Sequence, residues 1–193
     1  MENLDFYDVD PVDELVWPDR DQEIALDAHA LAILTDFKEH KPLIVDVSAT
    51  AVEAESLMRK AHVRMKIVVD KDSKFLGIID LNDLNGQELI KRVAEGHCRD
   101  KMMITEFMQP KEMLKVLDYE ELQTSSVGEV VEALKSSGQQ HCLVVDRKRH
   151  QIRGVISASD LARHLKLPVD ISNDSSFLAI FKEICHESNN LQV

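Results

Sequence analysis

The segment Gly154-Val155-Ile156-Ser157-Ala158-Ser159-Asp160-Leu161 places a hydroxyl and a carboxylate three residues apart at the expected start of a helix. Ser157 and Asp160 fit a capping box, in which each side chain accepts a hydrogen bond from the backbone amide of the other residue. Gly154 fits a strand that another backbone approaches closely. The same residues could bind a ligand, because a helix start offers amides to a phosphate and Ser157 adds a hydroxyl donor. Helix capping and ligand binding are compatible, and both interpretations stay open at this point.

Two further side chains are candidates for the same site. Arg163 follows Asp160 by one helical turn and is either a phosphate contact or a surface residue. His141 stands at the start of a preceding strand, where it could line a cleft. Its neighbour Cys142 faces the other side of that strand, because adjacent strand residues point in opposite directions. The two residues therefore do not form a metal site, and Cys142 is expected in the core.

A basic run, Arg147-Lys148-Arg149-His150, lies in a hairpin turn, and Arg153 follows it closely. The run precedes the segment Gly154–Leu161, which is here called the signature. One interpretation is a solvated turn whose charges protect the edge of the sheet from pairing with other chains. The other interpretation is a contact for a polyphosphate or for a protein partner. The residues leave both open.

Motifs of known catalytic machinery are missing from the sequence. It contains no Walker loop, no Gly-x-Gly-x-x-Gly, no His-Glu-x-x-His and no Ser/His/Asp grouping in a strained turn. Cys98, Cys142 and Cys185 are odd in number and widely spaced, so neither a disulfide framework nor a zinc site is expected. We therefore predict a cytoplasmic protein with reduced thiols, no catalytic residue, no metal ligand and no enzyme activity.

The composition is that of a folded protein whose negative charge is unevenly distributed. Hydrophobic residues make up 44% and charged residues 30% of the 193 residues, and the net charge is −12. Residues 1–23 hold nine acidic side chains and one arginine, and they form either a solvated arm or a docking peptide anchored by Leu15, Val16 and Trp17. The charge disfavours nucleic-acid binding, and no apolar run approaches the roughly 18 residues of a membrane span.

Apolar periodicity and turn residues predict a mixed order of helices and strands. A first helix is expected from Asp21 to Lys38, and a last one from Phe177 to about His186. Between them, the order strand, helix, strand, strand, helix occurs twice. In the first copy this order comprises Leu43–Val47, a helix capped by Thr50 and Glu53, Ile67–Val69, Phe75–Ile79 and a helix from Asp80.

The two copies align as an internal duplication. A second capping box, Ser126-Val127-Gly128-Glu129, follows the first at a displacement of 76 residues (126 − 50). One extra residue in the second hairpin raises the displacement to 77, and Gly77-Ile78-Ile79-Asp80-Leu81-Asn82-Asp83-Leu84 then matches the signature at four of eight positions. Upstream, Leu34–Phe37 is matched with Ile104–Phe107, 70 residues apart. Each unit must cover its sheet face, which favours a pair packed around a pseudo-twofold axis.

The duplicated motif Gly-h-h-[Ser/Thr]-x-x-Asp-Leu, with Leu143-Val144-Val145-Asp146 before its second copy, resembles the cystathionine-β-synthase (CBS) domain, and the pair resembles a Bateman module. The segments Leu34–Phe37 and Ser137–His141 are similar to those of stand-alone bacterial CBS-pair proteins. The resemblance implies an α/β (α+β) fold in which each copy is β-α-β-β-α, with extra N-terminal and C-terminal helices. The expected segments are an acidic arm (1–23), the N-terminal helix with repeat 1 (24–88), a connecting helix or linker (89–103), repeat 2 (104–168) and a C-terminal helix and tail (169–193).

The same resemblance implies a regulatory module that binds an adenosine-containing ligand, such as AMP, ADP or ATP, in the cleft between the copies. Asp160 would then accept hydrogen bonds from the two ribose hydroxyls. No cofactor is expected to be required. The alternative is a ligand-free scaffold whose signature residues only cap helices. The full set of expected ligand contacts is His141, Gly154, Ile156, Ser157, Ser159, Asp160 and Arg163, with Asp83 in the first copy.

The first copy departs from the family pattern, because Asp80 stands where the family has Ser or Thr. A carboxylate at this position would repel a phosphate, since like charges at close range interact unfavourably. We therefore predict that a phosphorylated nucleotide binds once per chain, at the second copy. The first copy, which retains Asp83, is expected to be empty or to take an uncharged nucleoside.

A homodimer assembled through the CBS helices is also expected, since the family commonly dimerises into a flat disc. The segments Ala54–Met58 and Val130–Leu134 carry more apolar surface than a three-stranded sheet can cover. An obligate contact of this kind should bury more than about 2,000 Å².

Overall fold

The computed structural model describes residues 24–85, 87–136, 138–167 and 176–190, and the acidic arm with Leu15, Val16 and Trp17 lies outside this part. The order strand, helix, strand, strand, helix is confirmed in both copies, with the short α4 added in the second. The strands are β1 (Thr35–Asp36), β2 (Ile44–Asp46), β3 (Met65–Val69), β4 (Phe75–Asp80), β5 (Gln109–Pro110), β6 (Leu117–Asp118), β7 (His141–Asp146) and β8 (Gln151–Ser157). The helices are α1 (Ala51–Lys60), α2 (Leu81–Asn85), α3 (Gln87–Ala94), α4 (Tyr119–Leu122), α5 (Val127–Leu134), α6 (Ala158–His164) and α7 (Phe177–Asn190).

The capping boxes predicted at Thr50 and Ser126 are confirmed, and each starts the main helix of its copy. At α1, Glu53 N donates to Thr50 Oγ1 (3.2 Å) and Thr50 N donates to Glu53 Oε2 (2.8 Å). Ser126 and Glu129 repeat the arrangement at α5. Each glutamate carboxylate accepts a hydrogen bond from the backbone amide of its cap residue and another from the hydroxyl of that residue. These hydrogen bonds, the one from the amide most strongly, lower the pKa of Glu53 and of Glu129.

The two repeats exchange one short strand each. The first sheet has the order β2-β3-β4-β5 and the second the order β1-β8-β7-β6. Strand β1 precedes the first repeat in the chain but pairs antiparallel with β8 of the second, and β5 precedes the second repeat but pairs with β4 of the first. Each exchanged strand covers a sheet edge that would otherwise be open to pairing. The exchange ties the two repeats together through their backbones.

Glycine is required where each exchanged strand approaches its hairpin. A Cβ atom built on Gly154 would lie 2.5 Å from the carbonyl oxygen of Thr35 in β1, and one on Gly77 would overlap the carbonyl of Gln109 in β5. A distance of this size is well inside van der Waals contact, so only a residue without a side chain fits. The close backbone approach predicted for Gly154 is confirmed, and Gly77 has the same role.

Three apolar clusters build the interior. One lies under the helices of each repeat, and the third lies between the two sheets around Ile78, Leu143 and Val155. Cys142 belongs to the core of the second repeat as expected, and its burial raises the pKa of its thiol to about 11. The inter-sheet cluster holds the two repeats face to face, which positions the ends of β4 and β8 on either side of it.

The C-terminal helix makes the two repeats unequal. Phe177 and Ile180 of α7 are fully buried in the core of the second repeat, where α7 packs on α5. The apolar face of α5 is therefore buried within the chain. The expectation that Val130–Leu134 contributes this face to a contact with a second chain is wrong. Helix α1 of the first repeat, by contrast, leaves Leu57 49% exposed.

The continuous helix expected from Asp21 to Lys38 is wrong for the described residues from 24 onward. A 3₁₀ turn (Ala30–Ile33) and strand β1 occupy this segment instead. The carbonyls of Leu26 and Ala28 accept hydrogen bonds from the first amides of α5, and Ala30 N donates to Ser125 O. Those groups would be needed for an α-helical ladder. Tertiary hydrogen bonds to the start of α5 thus override a helical apolar pattern.

The match of Leu34–Phe37 with Ile104–Phe107 is also wrong in register. Thr35 pairs with β8 at the position where Gln109 pairs with β4, so the displacement upstream of the repeats is 74 residues (109 − 35) and not 70. The duplication itself stands on the capping boxes, the hairpins and the signature.

Candidate ligand-binding site

Among the residues that the structure describes, a cavity opens between the repeats beside the signature of each copy. The first, here called the basic cavity, has a volume of about 600 Å³ and contains the signature residues of the second repeat. The second, the acidic cavity, has a volume of about 390 Å³ and contains those of the first repeat. The basic cavity is lined by Thr35, Phe37, His40, Lys41, Pro42, Leu43, His62, Val63, Arg64, Met65, Ile67, His141, Val155, Ser157, Ser159, Asp160 and Arg163. The acidic cavity is lined by Ile78, Asp80, Asn82, Asp83, Gln109, Gly138, Gln139, Gln140, His141 and Ser176.

The capping box predicted at Ser157 and Asp160 is only half formed. Asp160 N donates to Ser157 Oγ at 3.4 Å, and Ser157 Oγ also lies 2.9 Å from Ser159 Oγ. The carboxylate of Asp160 does not accept a hydrogen bond from the Ser157 amide. It lies 3.0 Å from Arg163 Nη2, and its side chain is 40% exposed. Asp160 therefore presents a carboxylate to the cavity without being committed to the helix start.

The start of α6 has few amides left for a phosphate. Ala158 N donates to Gln140 O at 2.8 Å, and Asp160 N is already bound to Ser157. The helix is also only seven residues long. The expectation that the helix start itself receives a phosphate is weakened by these contacts, and side chains are better placed to do so.

The other wall of the basic cavity comes from the first repeat. His40 and Lys41 lie in the loop between β1 and β2, and His62 and Arg64 lie in the turn between α1 and β3. Sequence reasoning missed all four, because they are distant in the chain from the signature and belong to no motif. They reach the second repeat because β1 is exchanged and the sheets pack face to face.

The acidic cavity holds two carboxylates that make hydrogen bonds inside the chain. Asp83 Oδ2 accepts from Asp80 N at 3.0 Å and from Gln109 Nε2 at 3.4 Å. Burial, with the nearby charge of Asp80, raises the pKa of Asp83. Asp80 Oδ1 accepts from Asn82 N at 3.1 Å, so Asp80 acts as the helix cap that its type predicts.

His141 lines both cavities and connects the repeats. Its Nδ1 lies 2.8 Å from Asp80 Oδ2, and the two side chains are only 10% and 11% exposed. The contact joins the first strand residue of β7 in one repeat to the signature of the other. A ligand that displaces either partner in one cavity therefore changes a wall of the other.

The structure gathers most, though not all, of the expected contact residues. Ser157, Ser159, Asp160, Arg163 and His141 line the basic cavity, and Asp83 lines the acidic one. Two residues of the expected set, Gly154 and Ile156, do not reach a cavity. Gly154 faces the exchanged strand, and Ile156 is fully buried in the core of the second repeat.

Val155 lines the basic cavity in place of Ile156. Strand alternation could have indicated this, because residues two apart face the same side and Ser157 faces the cavity.

The basic turn of the second hairpin lies away from both cavities and is paired with acids of its own chain. Arg153 donates from Nε to Asp36 Oδ1 at 2.7 Å, which ties β1 to β8. This structural pairing favours the interpretation as a solvated, charge-protected turn over a polyphosphate contact. The other pairs are Arg147 with Asp118, Lys148 with Glu120, and Arg149 with Asp146.

Within the part of the chain that the structure describes, no group of three His, Cys, Asp or Glu side chains could hold a metal ion. Among the same residues, no helix combines the length and the apolar character needed to cross a membrane.

The architecture is thus that of a two-repeat module with a ligand-sized cavity at each signature. The CBS domain family matches residues 34–86 and 122–167, which together make up about half of the chain. The chain belongs to the CBS-domain family, and its two repeats form a CBS pair, a module that is typically regulatory. No curated protein sequence matches it.

Solved structures show the same fold at low sequence identity. An uncharacterized conserved protein from Pyrococcus horikoshii superposes with a TM-score of 0.56 at 21% identity, covering 76% of this chain and 98% of its own. A CBS-domain-containing protein from Agrobacterium tumefaciens gives 0.54 at 16% identity, covering 78% and 98%. The protein CBSX2 from Arabidopsis thaliana, in a crystal structure with AMP, gives 0.50 at 16% identity, covering 70% and 94%.

Proposed function

We propose that this CBS pair is a sensor that binds one adenosine-containing ligand, such as AMP, ADP or ATP, in the basic cavity. The observation that carries the proposal is the partly exposed carboxylate of Asp160 in a cavity that is also lined by Lys41 and Arg64 of the opposite repeat. A carboxylate of this kind accepts hydrogen bonds from two neighbouring ribose hydroxyls. The volume of about 600 Å³ falls within the range of roughly 300–1,000 Å³ usual for small-molecule sites. The AMP complex of CBSX2 supports the class of ligand by analogy.

A ligand in this cavity would contact both repeats at once. His40 and Lys41 belong to the first repeat, and Ser157 and Asp160 belong to the second. Binding would therefore favour one relative orientation of the repeats over others, which is a population shift. The change would pass to the surface helices and from them to a protein partner. On this proposal the chain has no enzyme activity of its own, and its cytoplasmic location stays a prediction from the free cysteines.

We further propose that two chains form a homodimer through the helices of the first repeat. Ile90 and Val93 of α3 are 63% and 44% exposed, and Leu57 of α1 is also exposed, whereas α7 covers the corresponding helix face of the second repeat. A second copy would cover this apolar surface. Light scattering at micromolar concentration should give about twice the chain mass of 21.9 kDa. A species of 21.9 kDa alone would contradict the dimer.

The test of ligand binding is a calorimetric titration of AMP, ADP and ATP against the wild type and Asp160→Ala. We expect one ligand per chain in the wild type and loss of binding in the variant, because the ribose acceptor is gone. Asp72→Ala is the matched control, since Asp72 is an exposed carboxylate in the β3–β4 turn. Nucleotide binding that is unaffected by Asp160→Ala would overturn the proposal.

A ligand-free scaffold is the second candidate, and the internal hydrogen bond of Ser157 to the start of α6 favours it. Thermal unfolding separates the two functions. A nucleotide at 100 times its dissociation constant should stabilise a binding protein by about 2.7 kcal/mol. A scaffold would unfold at the same temperature with and without nucleotide.

A further inference from the structure

Positive charge is concentrated at the basic cavity of a chain whose net charge is −12. Three fixed cations line it (Lys41, Arg64 and Arg163), and Asp160 is the one carboxylate among the described residues that line it. The acidic cavity has the opposite balance, with Asp80 and Asp83. The two cavities therefore differ in the sign of the net charge that their lining side chains carry.

The carboxylate in the basic cavity already has a cationic partner. Asp160 lies 3.0 Å from Arg163 on the same helix. If these two charges are taken as a pair, and because Arg64 Nη2 of the first repeat already donates to Asn82 Oδ1 at 3.3 Å, Lys41 is the cation of the first repeat that remains for the ligand. Among the described residues, Lys41 forms no ion pair with a carboxylate, and it lies exposed on the β1–β2 loop.

The backbone at the start of α6 offers few amides to a phosphate. Ala158 N and Asp160 N at the start of α6 are bound to Gln140 O and Ser157 Oγ. Recognition of phosphate groups must therefore come mainly from side chains, and lysine and arginine are the side chains that bind phosphates through charge-assisted hydrogen bonds. A nucleotide anchored by its ribose at Asp160 would direct its phosphates toward the wall of the first repeat.

From this charge distribution we infer that the basic cavity selects a nucleoside di- or triphosphate over the monophosphate, and that Lys41 is the residue that determines this specificity. The inference rests on the proposed function, because it assumes that the adenosine part binds at Asp160. The first phosphate would lie near Arg163, and the additional phosphates would reach Lys41. A loop of the first repeat thereby distinguishes nucleotides by their number of phosphates, while the second repeat binds the adenosine part of the ligand.

The test compares adenosine, AMP, ADP and ATP by calorimetry, in a metal-free buffer of about 0.15 M salt, on the wild type, Lys41→Gln and Lys71→Gln. Lys71 is the matched control, because it is an exposed lysine in the β3–β4 turn and lines neither cavity. The wild type should bind ATP roughly tenfold or more tightly than AMP, as one charge-assisted contact provides. In Lys41→Gln this ratio should fall to about threefold or less, while the affinity for AMP is retained.

Other outcomes separate this inference from the proposed function. Equal affinity for AMP and ATP in the wild type, or an unchanged ratio in Lys41→Gln, would overturn the selection by Lys41 and leave the nucleotide site in place. A failure of all four compounds to bind would overturn both. Because salt screens charge interactions, the preference for ATP should also increase at lower ionic strength, and a ratio insensitive to salt would count against it.

Discussion

The basic and acidic cavities are built from the same motif in the same fold, yet they differ in what their carboxylates do. Asp83 in the acidic cavity accepts from the Asp80 amide and from Gln109, whereas Asp160, its equivalent in the basic cavity, is exposed beside Arg163. The residue three positions earlier accounts for much of the difference, because it is Asp80 in one copy and Ser157 in the other. A duplicated motif thus supplies two cavities whose signature residues differ in charge at the first helical cap position.

The difference also shows how the acidic cavity serves the fold. Asp80 caps the start of α2 and contacts His141 of the other repeat at 2.8 Å. A nearly buried carboxylate would be costly without such partners. The contact satisfies it and joins the repeats at the point where the two cavities meet.

The largest effect is expected from Asp80→Thr, which makes the acidic cavity resemble the basic one. Two like charges about 4 Å apart at an effective dielectric constant near 20 repel by about 4 kcal/mol, an upper value for a cavity that opens to water. Removal of this repulsion should increase nucleotide affinity in the acidic cavity by up to about a thousandfold. Calorimetry should then count two nucleotides per chain.

The control for that variant is Asp72→Thr, which removes an exposed carboxylate far from the cavities and should leave one nucleotide per chain. If Asp80→Thr still binds a single nucleotide, the charge at this position is not what distinguishes the two cavities.

An intermediate effect is expected from Asp36→Asn. This variant tests whether the two exchanged strands, β1 and β5, are held equally strongly to the sheets that they join. Strand β1 is held to β8 by the Asp36–Arg153 ion pair, while β5 has Pro110 at the position of Asp36. The hydrogen bond from Arg153 lowers the pKa of Asp36 despite partial burial. A carboxyl with a lowered folded-state pKa stabilises the fold above its unfolded value of 3.8, and this contribution is lost as the pH falls through the folded-state pKa.

Asp36→Asn should therefore be less stable near neutral pH by about 1.5–3 kcal/mol, as for one hydrogen bond to a charged group. It should also lose less stability than the wild type as the pH is lowered below about 4. Urea denaturation at several pH values measures both, with Asp72→Asn as the control. Identical pH profiles of Asp36→Asn and the wild type would contradict the role of this pair.

The smallest effect is expected from Lys148→Gln, which compares the basic turn with the basic cavity. Lys148 is paired with Glu120 on the surface and lines neither cavity. Exposed ion pairs contribute little, so the melting temperature should change by less than about 4 °C and nucleotide affinity by less than about twofold. A clear loss of ATP affinity in this variant would show that the turn, and not only the cavity, contacts phosphates.

Local patterns made much of the fold predictable. The capping boxes at Thr50 and Ser126, the hairpins and the repeated Gly-to-Leu signature each depend on residues close together in the chain, and all appear in the structure. The first helix failed because its backbone groups bind the start of α5, about 100 residues away, instead of one another. A helical pattern of apolar residues does not reveal such competition.

The candidate site was predictable only on one side. Ser157, Ser159, Asp160 and Arg163 stand in or next to one motif, so their proximity follows from the sequence. Ile156 was placed on the wrong face of its strand, although alternation with Ser157 identifies Val155. The opposite wall, with His40 and Lys41, carries no local signature.

The amino-acid sequence by itself determined the duplication, the start of each capped helix and the chemical asymmetry between Asp80 and Ser157, because these depend on residue type and short spacing. Only the tertiary structure decided that β1 and β5 are exchanged, that Lys41 lies across a cavity from the second signature, and that His141 contacts Asp80 over a separation of 61 residues. The physical reason is that these arrangements arise from packing two sheets face to face. Such packing satisfies edges and apolar faces that no short segment can satisfy alone.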